Sequence, residues 1–288
     1  MKKLLLIALL FCLKQLNAQC SLTITGNTVI CAGTTTTLTA SAAANYTWMP
    51  SGAQTATIAI TPTASVVYTV TAVTGTCTAT NTISVTVNPI PTMTVTSPVP
   101  YCPGALVSST DYNITTDPFG VTYTWTATNQ AGTGMPTNGT GAAPGSSYVA
   151  PANPSLVNQV SVISYTPSLN GCIGIPVTDT VIIKPTPIMT AMMDQYFCPG
   201  MVTNAVPLSS MPTTPSTTYV WSFNSGGIPN VGSTNPIPSF YASNAGLTTL
   251  STAITVTPTL NGCVGPPSGF SIYINPNPIA KFSANMFV

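Results

Sequence analysis

The sequence predicts an all-β protein built from tandem β-sandwich domains. Short segments rich in Val, Ile, Thr and Tyr recur about every 8–12 residues and are separated by Gly, Pro and Asn, which is typical of sandwich strands. No window holds the 3.6-residue apolar period of a helix. One pattern also occurs three times: a strand, a turn ending in Cys, a second strand and a closing Pro-x-Pro, at residues 67–91, 163–187 and 254–278. Three closing hairpins predict three domains arranged as beads.

The second copy shows most clearly why this pattern is a hairpin. Residues 163–166 and 177–183 are β-branched and alternate in polarity, as half-buried strands do. Between them Asn170-Gly171 is the dipeptide that best tolerates the positive φ angles of a two-residue turn. Pro185 and Pro187 then end the pairing, because a proline nitrogen cannot donate to a β-ladder.

The repeats set the predicted domain boundaries. We predict a signal peptide at 1–18, a β-sandwich at 19–89, two more closely related sandwiches at 90–186 and 187–277, and the opening of a truncated further domain at 278–288. In the first sandwich, strands are expected at 21–25, 34–40, 45–48, 55–60, 66–73 and 82–87.

The N-terminus has the pattern of a secretory signal. Two lysines precede a ten-residue apolar stretch, and the small residue Ala18 precedes Gln19. Ten apolar residues are too few to span a bilayer, so no membrane insertion is expected after cleavage. The alternative is a lipoprotein acylated at Cys20, although Gln19 stands where such sites carry a small residue. We expect a secreted or cell-surface protein.

Charge is nearly absent from the rest of the chain. The sequence has no His, Arg or Glu; beyond the signal only two lysines face four aspartates, a net charge near −2. Such a surface does not attract nucleic acid or an anionic membrane. Four scattered aspartates and no accompanying base also make acid–base or nucleophilic catalysis improbable, so we expect no enzyme and no cofactor.

Two groups of residues admit a functional interpretation beside a structural one. Trp48, Trp125 and Trp221 each lie in a Tyr-x-Trp strand, where a sandwich places its core tryptophan; the alternative is a sugar-binding platform. Asp111 to Asp117 spaces oxygen side chains at alternate positions, which could suit Ca²⁺. Alternation is also how a strand presents a polar face, and no bidentate Glu is present, so no metal site is predicted.

Seven cysteines remain after the signal, and export makes disulfides the expected state. Equivalent placement in the repeats predicts one bridge within each domain: Cys31–Cys77, Cys102–Cys172 and Cys198–Cys263. Cys20 is left over; it can be free, pair with a second chain, or compete with Cys31 for Cys77.

These motifs resemble known repeats. Cys-x-Gly, Leu-Thr-Ala, Tyr-x-Trp-x-Pro, Tyr-Thr-Val-Thr and Val-Thr-Val-Asn-Pro-x-Pro in residues 31–91 resemble the Ig-like repeats of secreted Bacteroidota proteins. Tyr-x-Trp, Thr-Pro-x-Leu-Asn-Gly-Cys-x-Gly and Pro-x-Pro in the next two domains are similar to the PKD-like repeats of the same proteins. The resemblance implies a long surface molecule, often exported by the type IX route and linked to adhesion or gliding.

In a standard immunoglobulin topology, however, a Cys before the second strand and a Cys in the last hairpin lie at opposite ends of the domain. Pairing within a domain therefore requires either a different course for the first strand or a different assignment of the strands.

The function expected from the sequence is that of a non-catalytic extracellular stalk or adhesin segment that spaces or presents a distal domain. Its partners would be surface glycans or other extracellular proteins. The alternative is a carbohydrate-binding protein, which would show a row of exposed Trp or Tyr side chains. A subunit of a secreted hydrolase is a third class, and its catalytic domain would have to lie beyond Val288.

Overall fold

The structure is a computed structural model that describes residues 20–96, 100–223 and 231–279. The predicted signal peptide and residues 280–288 lie outside the described residues. Within the described ranges every regular element is a β-strand apart from two 3-10 turns, Ser109–Asp111 and Gln130–Gly132. The chain is therefore all-β, with Ig-like β-sandwich repeats, as the sequence predicts.

The first repeat is a two-sheet sandwich. One sheet has the order β1-β3-β5 and the other β2-β7-β6-β4. Strand β3 buries alternate residues, and so does β4, because a strand points successive side chains to opposite faces. Leu38 of the first sheet and Trp48 and Val70 of the second meet in one core. The strands are β1 (Ile24–Gly26), β2 (Val29–Cys31), β3 (Thr36–Ala40), β4 (Asn45–Met49), β5 (Thr57–Ile60), β6 (Val66–Thr74) and β7 (Cys77–Asn88).

The second repeat has one five-stranded sheet, in which β12, β11, β14 and β15 are in order and β16 also pairs with β14. Two separate two-stranded sheets, β8 with β10 and β9 with β13, complete the repeat. Its strands are β8 (Thr92–Thr96), β9 (Leu106–Val107), β10 (Asn113–Asp117), β11 (Thr122–Thr128), β12 (Asn138–Thr140), β13 (Tyr148–Val149), β14 (Gln159–Leu169), β15 (Cys172–Ile173) and β16 (Val177–Ile183).

The third repeat pairs a six-stranded sheet with a two-stranded one. The large sheet runs β18-β24-β22-β20-β21 with β23 beside β22, and β17 pairs with β19. Its core joins Met189 of the small sheet to Trp221 and Val256 of the large one. The strands are β17 (Ile188–Met189), β18 (Gln195–Phe197), β19 (Ser210–Met211), β20 (Thr218–Phe223), β21 (Val231–Gly232), β22 (Leu250–Leu260), β23 (Cys263–Val264) and β24 (Ser268–Ile274).

The hairpins form as predicted. In the second repeat Asn170 and Gly171 have φ angles of 48° and 82°, and in the third repeat Asn261 and Gly262 have 49° and 85°. Both central residues of a type I′ turn need positive φ, so the Asn-Gly pair fixes the turn and with it the register of the two strands. The last strands end at Asn88, Ile183 and Ile274, immediately before the Pro-x-Pro segment of each repeat or one residue earlier.

One strand was not predicted from the sequence. The short strand β2 pairs in parallel with the end of β7, with Cys31 opposite Asn88. The third repeat has the same arrangement, with Phe197 of β18 opposite Ile274 of β24. In the second repeat it shrinks to a single parallel bridge between Tyr101 and Ile183. Each Cys-x-Gly cysteine thus lies in, or directly follows, a segment that runs alongside the end of its repeat's last strand.

By contacts between Cα atoms the chain divides into two compact units. The first comprises Met1–Thr94, Ile114–Thr124 and Tyr165–Val177, and the second Val95–Asn113, Trp125–Ser164 and Thr178–Val288. The first unit therefore contains the first repeat together with the Asn-Gly-Cys hairpin turn of the second. The boundaries of three separate domains stay a prediction.

Candidate functional site: the disulfide joints

The three tryptophans are buried. Trp48, Trp125 and Trp221 expose 0%, 2% and 3% of their surface. The indole N–H of Trp48 donates to the Thr55 carbonyl at 2.9 Å, and that of Trp221 to the Thr234 carbonyl at 3.0 Å. No tryptophan face is therefore available to stack on a sugar ring.

Two glycines show how closely the chain packs on these rings. A Cβ atom at Gly139 would overlap the indole of Trp125, and one at Gly232 would overlap the indole of Trp221. Both glycines lie in short strands at the same place in their repeats, β12 and β21. The sequence lacks a side chain there because the tryptophan edge occupies the space.

The disulfides differ from the predicted pairs. The structure joins Cys20 to Cys77, Cys31 to Cys172 and Cys102 to Cys263, and Cys198 is free and exposed. The predicted bridges Cys31–Cys77, Cys102–Cys172 and Cys198–Cys263 are therefore wrong. Of the alternatives left open for Cys20, the structure favours the one in which it takes Cys77. Two of the three bridges join consecutive repeats.

The length of the last strand explains why Cys31 cannot form a bridge with Cys77 of the same repeat. Strand β7 has 12 residues; Cys77 is the first of them, and Cys31 is paired opposite the last. At about 3.3 Å per residue these two cysteines are separated by roughly 35 Å, whereas bridged Cα atoms lie about 4.4–6.8 Å apart. Cys31 and Cys77 thus lie at opposite ends of the repeat, as a standard immunoglobulin topology requires.

The first joint consists of Cys31, Asn88 and Pro91 on one side and the hairpin turn of the second repeat on the other. The Cα atoms of Cys31 and Cys172 are 5.6 Å apart. The Asn88 side-chain amide donates to the Asn170 carbonyl at 3.2 Å. A Cβ at Gly174 would overlap the Pro91 carbonyl oxygen, so the hairpin can approach the linker only because this residue is glycine.

The second joint repeats these three features. Cys102 and Cys263 are bridged with Cα atoms 5.3 Å apart. The Lys184 ammonium donates to the Asn261 carbonyl at 2.8 Å. A Cβ at Gly265 would overlap the carbonyl oxygen of Pro187.

Sequence reasoning missed the residues that accompany the two bridges. Asn88 and Lys184 each precede a Pro-x-Pro, while Gly174 and Gly265 each follow a Cys by two positions. That spacing is the signal that could have revealed them. Each joint therefore consists of the bridge, the side-chain donor before Pro-x-Pro and the glycine two residues after the hairpin cysteine.

The Asp111 carboxylate has structural partners. One Asp111 oxygen accepts from the Tyr101 hydroxyl at 2.7 Å and from the Ser108 backbone N–H at 3.0 Å, where it completes the cap of a 3-10 turn. Burial, and then the hydrogen bond to Asp111, raises the pKa of Tyr101 above its usual range. Burial also raises the pKa of Asp179. No cluster of metal-ligating side chains is found among the described residues.

One aromatic pair, with Tyr196 exposed and Tyr273 half-buried, lies on the outer face of the third repeat. Tyr196 and Tyr273 stack with ring centroids 4.8 Å apart and planes 10° from parallel, and Tyr196 is 65% exposed. They face outward because their neighbours Phe197, Ile272 and Ile274 point into the core. The exposed ring of Tyr196 is the kind of aromatic surface on which a carbohydrate-binding protein can pack a sugar ring.

Comparison with known proteins identifies no family. No protein-family model matches the chain, and no curated protein matches it. Among solved structures, the titin I-band fragment I67–I69 is 8% identical, with a TM-score of 0.45 over 90% of this chain and 99% of that one. Immunoglobulin domains 1–5 of Sidekick-1 are 14% identical with a TM-score of 0.31, and the chain spans 60% of their length. Mouse cadherin-23 EC22–24 is 9% identical, with a TM-score of 0.32 over 89% of this chain and 99% of that one. At these TM-scores the likenesses carry no functional weight, and the fold assignment rests on the sheets themselves.

In the part of the chain that the structure describes, no helix is long and apolar enough to cross a membrane. Three disulfides are typical of proteins that mature in an oxidising, extracellular setting.

Proposed function

We propose that this chain is a non-catalytic extracellular stalk or adhesin segment, which spaces or presents a distal functional domain. The observation that carries the proposal is the repetition of the joint. Two successive connections use the same covalent bond, the same kind of side-chain donor and the same glycine clearance. A connection built this way limits the freedom of one repeat against the next, which is the property that a spacer requires.

Other features support an exported surface protein. The predicted signal peptide and the resemblance to Ig-like and PKD-like repeats of secreted Bacteroidota proteins point to the same class of molecule. The nearly uncharged, Thr-rich surface offers little salt-dependent attraction, so adhesion by this segment would be polar and insensitive to ionic strength.

The spacer function can be tested by measuring a distance within single molecules. Donor and acceptor dyes are attached at residues 21 and 277 through unnatural side chains, which leaves all cysteines in place. We expect one narrow transfer-efficiency peak for the oxidised chain. The variants Cys172→Ser and Cys263→Ser should each broaden it, while the circular dichroism spectrum stays unchanged. A broad distribution in the oxidised parent chain would refute the spacer function.

The second candidate is carbohydrate binding, which the stacked pair Tyr196 and Tyr273 favours over the buried tryptophans. An aromatic face can pack on the apolar side of a sugar ring. A glycan array with the oxidised chain and with Tyr196→Ala decides between the two. Binding that this substitution abolishes supports a lectin. The matched control is Tyr241→Ala, since Tyr241 is exposed but belongs to no stacked pair among the described residues.

A further inference from the structure

The C-terminal end of the third repeat has the same backbone conformation as the two joint halves that carry Cys31 and Cys102. The Asn275 backbone N–H donates to the Phe197 carbonyl at 2.9 Å, as the Lys184 N–H does to the Tyr101 carbonyl at 2.9 Å. Cys198 directly follows Phe197, as Cys102 directly follows Tyr101. Cys198 therefore occupies the position that is oxidised in the other two repeats.

The resemblance extends to the turn after the cysteine and to the support of the last strand. Gly104 and Gly200 have φ angles of 83° and 84°. The buried amide of Asn153 donates to the carbonyl of Ile183 at 2.9 Å, and that of Asn244 to the carbonyl of Ile274 at 2.8 Å. This end of the third repeat is thus held in the geometry of a joint, and Cys198 is its exposed, free cysteine.

We propose that Cys198, Asn275 and Pro278 form one half of a third joint, whose other half is the hairpin of a repeat of this same type that follows Pro278. The inference goes beyond the spacer function, because such a joint can form whatever the chain presents. Chain order favours this occupant, since both observed joints run from a Cys-x-Gly cysteine to the hairpin of the next repeat along the chain.

The geometry of the two observed joints also predicts the sequence of the partner hairpin. It needs Asn-Gly for the turn, whose Asn carbonyl would accept from Asn275 as Asn170 accepts from Asn88. It needs Cys next, and then Gly two residues later, to clear the carbonyl of Pro278. The hairpin of the first repeat, Cys77-Thr78-Ala79, lacks this glycine, and its cysteine is already bridged to Cys20. A second copy of the chain docking through Cys77 is therefore disfavoured.

The bridge forms by a balanced exchange with a disulfide oxidant, for which glutathione disulfide serves in the test. The sulfur–sulfur bond of glutathione disulfide breaks, and a bond between Cys198 Sγ and the partner Sγ forms. The two cysteine thiols are oxidised, and their two protons end on two glutathione thiols.

In the test protein, a second copy of residues 188–278 is joined directly to Pro278 and takes the place of residues 279–288. Cys198 is replaced by Ser in this appended copy alone. After oxidation in glutathione buffer, remaining thiols are alkylated and the protein is cleaved at methionine, which isolates Cys198 in the peptide 194–201. We expect this peptide to be disulfide-linked to Cys263 of the appended copy and to carry no label. The matched control, Cys263→Ala in the appended copy, should leave Cys198 labelled.

A second measurement does not depend on folding of the appended copy. A peptide with the sequence of residues 257–266, its cysteine held as a mixed disulfide with glutathione, is offered to the unmodified full chain. The Cys198 thiolate attacks the peptide sulfur, and glutathione leaves as the thiol. We expect a rate about tenfold above that of the peptide in which Gly265 is Ala, because docking raises the local concentration of the reacting sulfur.

Two results would overturn the proposal. One is a Cys198 that stays alkylatable, or forms a Cys198–Cys198 dimer, in a fusion whose appended copy is folded. The other is an equal rate for the glycine and alanine peptides. Either result leaves the two existing joints intact, so the distance measurement that tests the spacer function is unaffected.

Discussion

Gly265 shows how a single missing side-chain atom allows a hairpin to dock on a linker. A Cβ there would overlap the Pro187 carbonyl oxygen, and backbone cannot move as a flexible side chain can. We predict that Gly265→Ala lowers the free energy of unfolding by about 1–3 kcal/mol through overpacking. Denaturant unfolding measures it. The control Val264→Ala, at a 64% exposed position of the same hairpin, should change it by less than about 0.5 kcal/mol. Equal effects would show that the clearance is unimportant.

Two tyrosines give the second compact unit a pH dependence at alkaline pH. Burial raises the pKa of Tyr148 to about 12, and burial with the Asp111 hydrogen bond raises that of Tyr101. The folded state thus favours the neutral phenols, so their contribution is complete below the usual tyrosine pKa near 10 and is lost as the pH rises from there towards 12.

We predict that the denaturant midpoint falls over this pH range and that Tyr148→Phe makes the fall shallower. The measurement uses a Cys198→Ser background, because a free thiolate would exchange with the disulfides at high pH. A pH profile identical in the phenylalanine variant would contradict the assignment.

At the scale of elements, local patterns were predictable and distant pairing was not. The hairpin of β14 and β16 was predicted correctly, because its alternating polarity and its Asn170-Gly171 turn depend only on residues close together in the sequence. Strand β2 has 3 residues, too few to show a period, and it pairs in parallel with residues 86–88 far along the chain. Because β2 was not predicted, the disulfides were assigned from equivalent placement of the cysteines in the repeats, and that assignment is wrong.

Strand β4 offers a test of alternation within one element. Trp48 is buried and Met49, its neighbour, is 58% exposed. We predict that Trp48→Ala lowers the free energy of unfolding of the first repeat by about 3–5 kcal/mol, since it removes a core aromatic. Met49→Ala should stay within about 0.5 kcal/mol of the parent. Amide hydrogen exchange at Leu38 and Val70, which share that core, follows the loss. Slow exchange at both in the tryptophan variant would argue against this core.

At the scale of the whole molecule, the two joints overlap along the chain. Cys31 to Cys172 closes 141 residues and Cys102 to Cys263 closes 161. In a chain-entropy treatment each crosslink stabilises the fold by about 5 kcal/mol, more than a bridge within one repeat would. Because the loops share residues 102–172, the two contributions are not independent.

The observed bridges set how far the chain can be stretched, and this limit differs from the one expected for the predicted pairing within repeats. Pulled between residues 20 and 278, the reduced chain extends to about 90 nm. With the observed bridges, the shortest covalent path crosses from Cys20 to Cys77, follows the chain to Cys102, and crosses to Cys263. That path has roughly 40 residues and extends to about 14 nm, whereas bridges within each repeat would allow about 27 nm.

Force spectroscopy of the oxidised chain should therefore reach about 14 nm, with an increase to about 90 nm after addition of a reductant. Cys263→Ser opens the second loop alone and should give a length of about 40 nm, because the path then follows the chain directly from Cys172 to residue 278. A limit near 27 nm in the oxidised parent would restore the pairing within repeats and remove the joints. The measurement depends on connectivity rather than on stability, so a weakened fold cannot imitate either result.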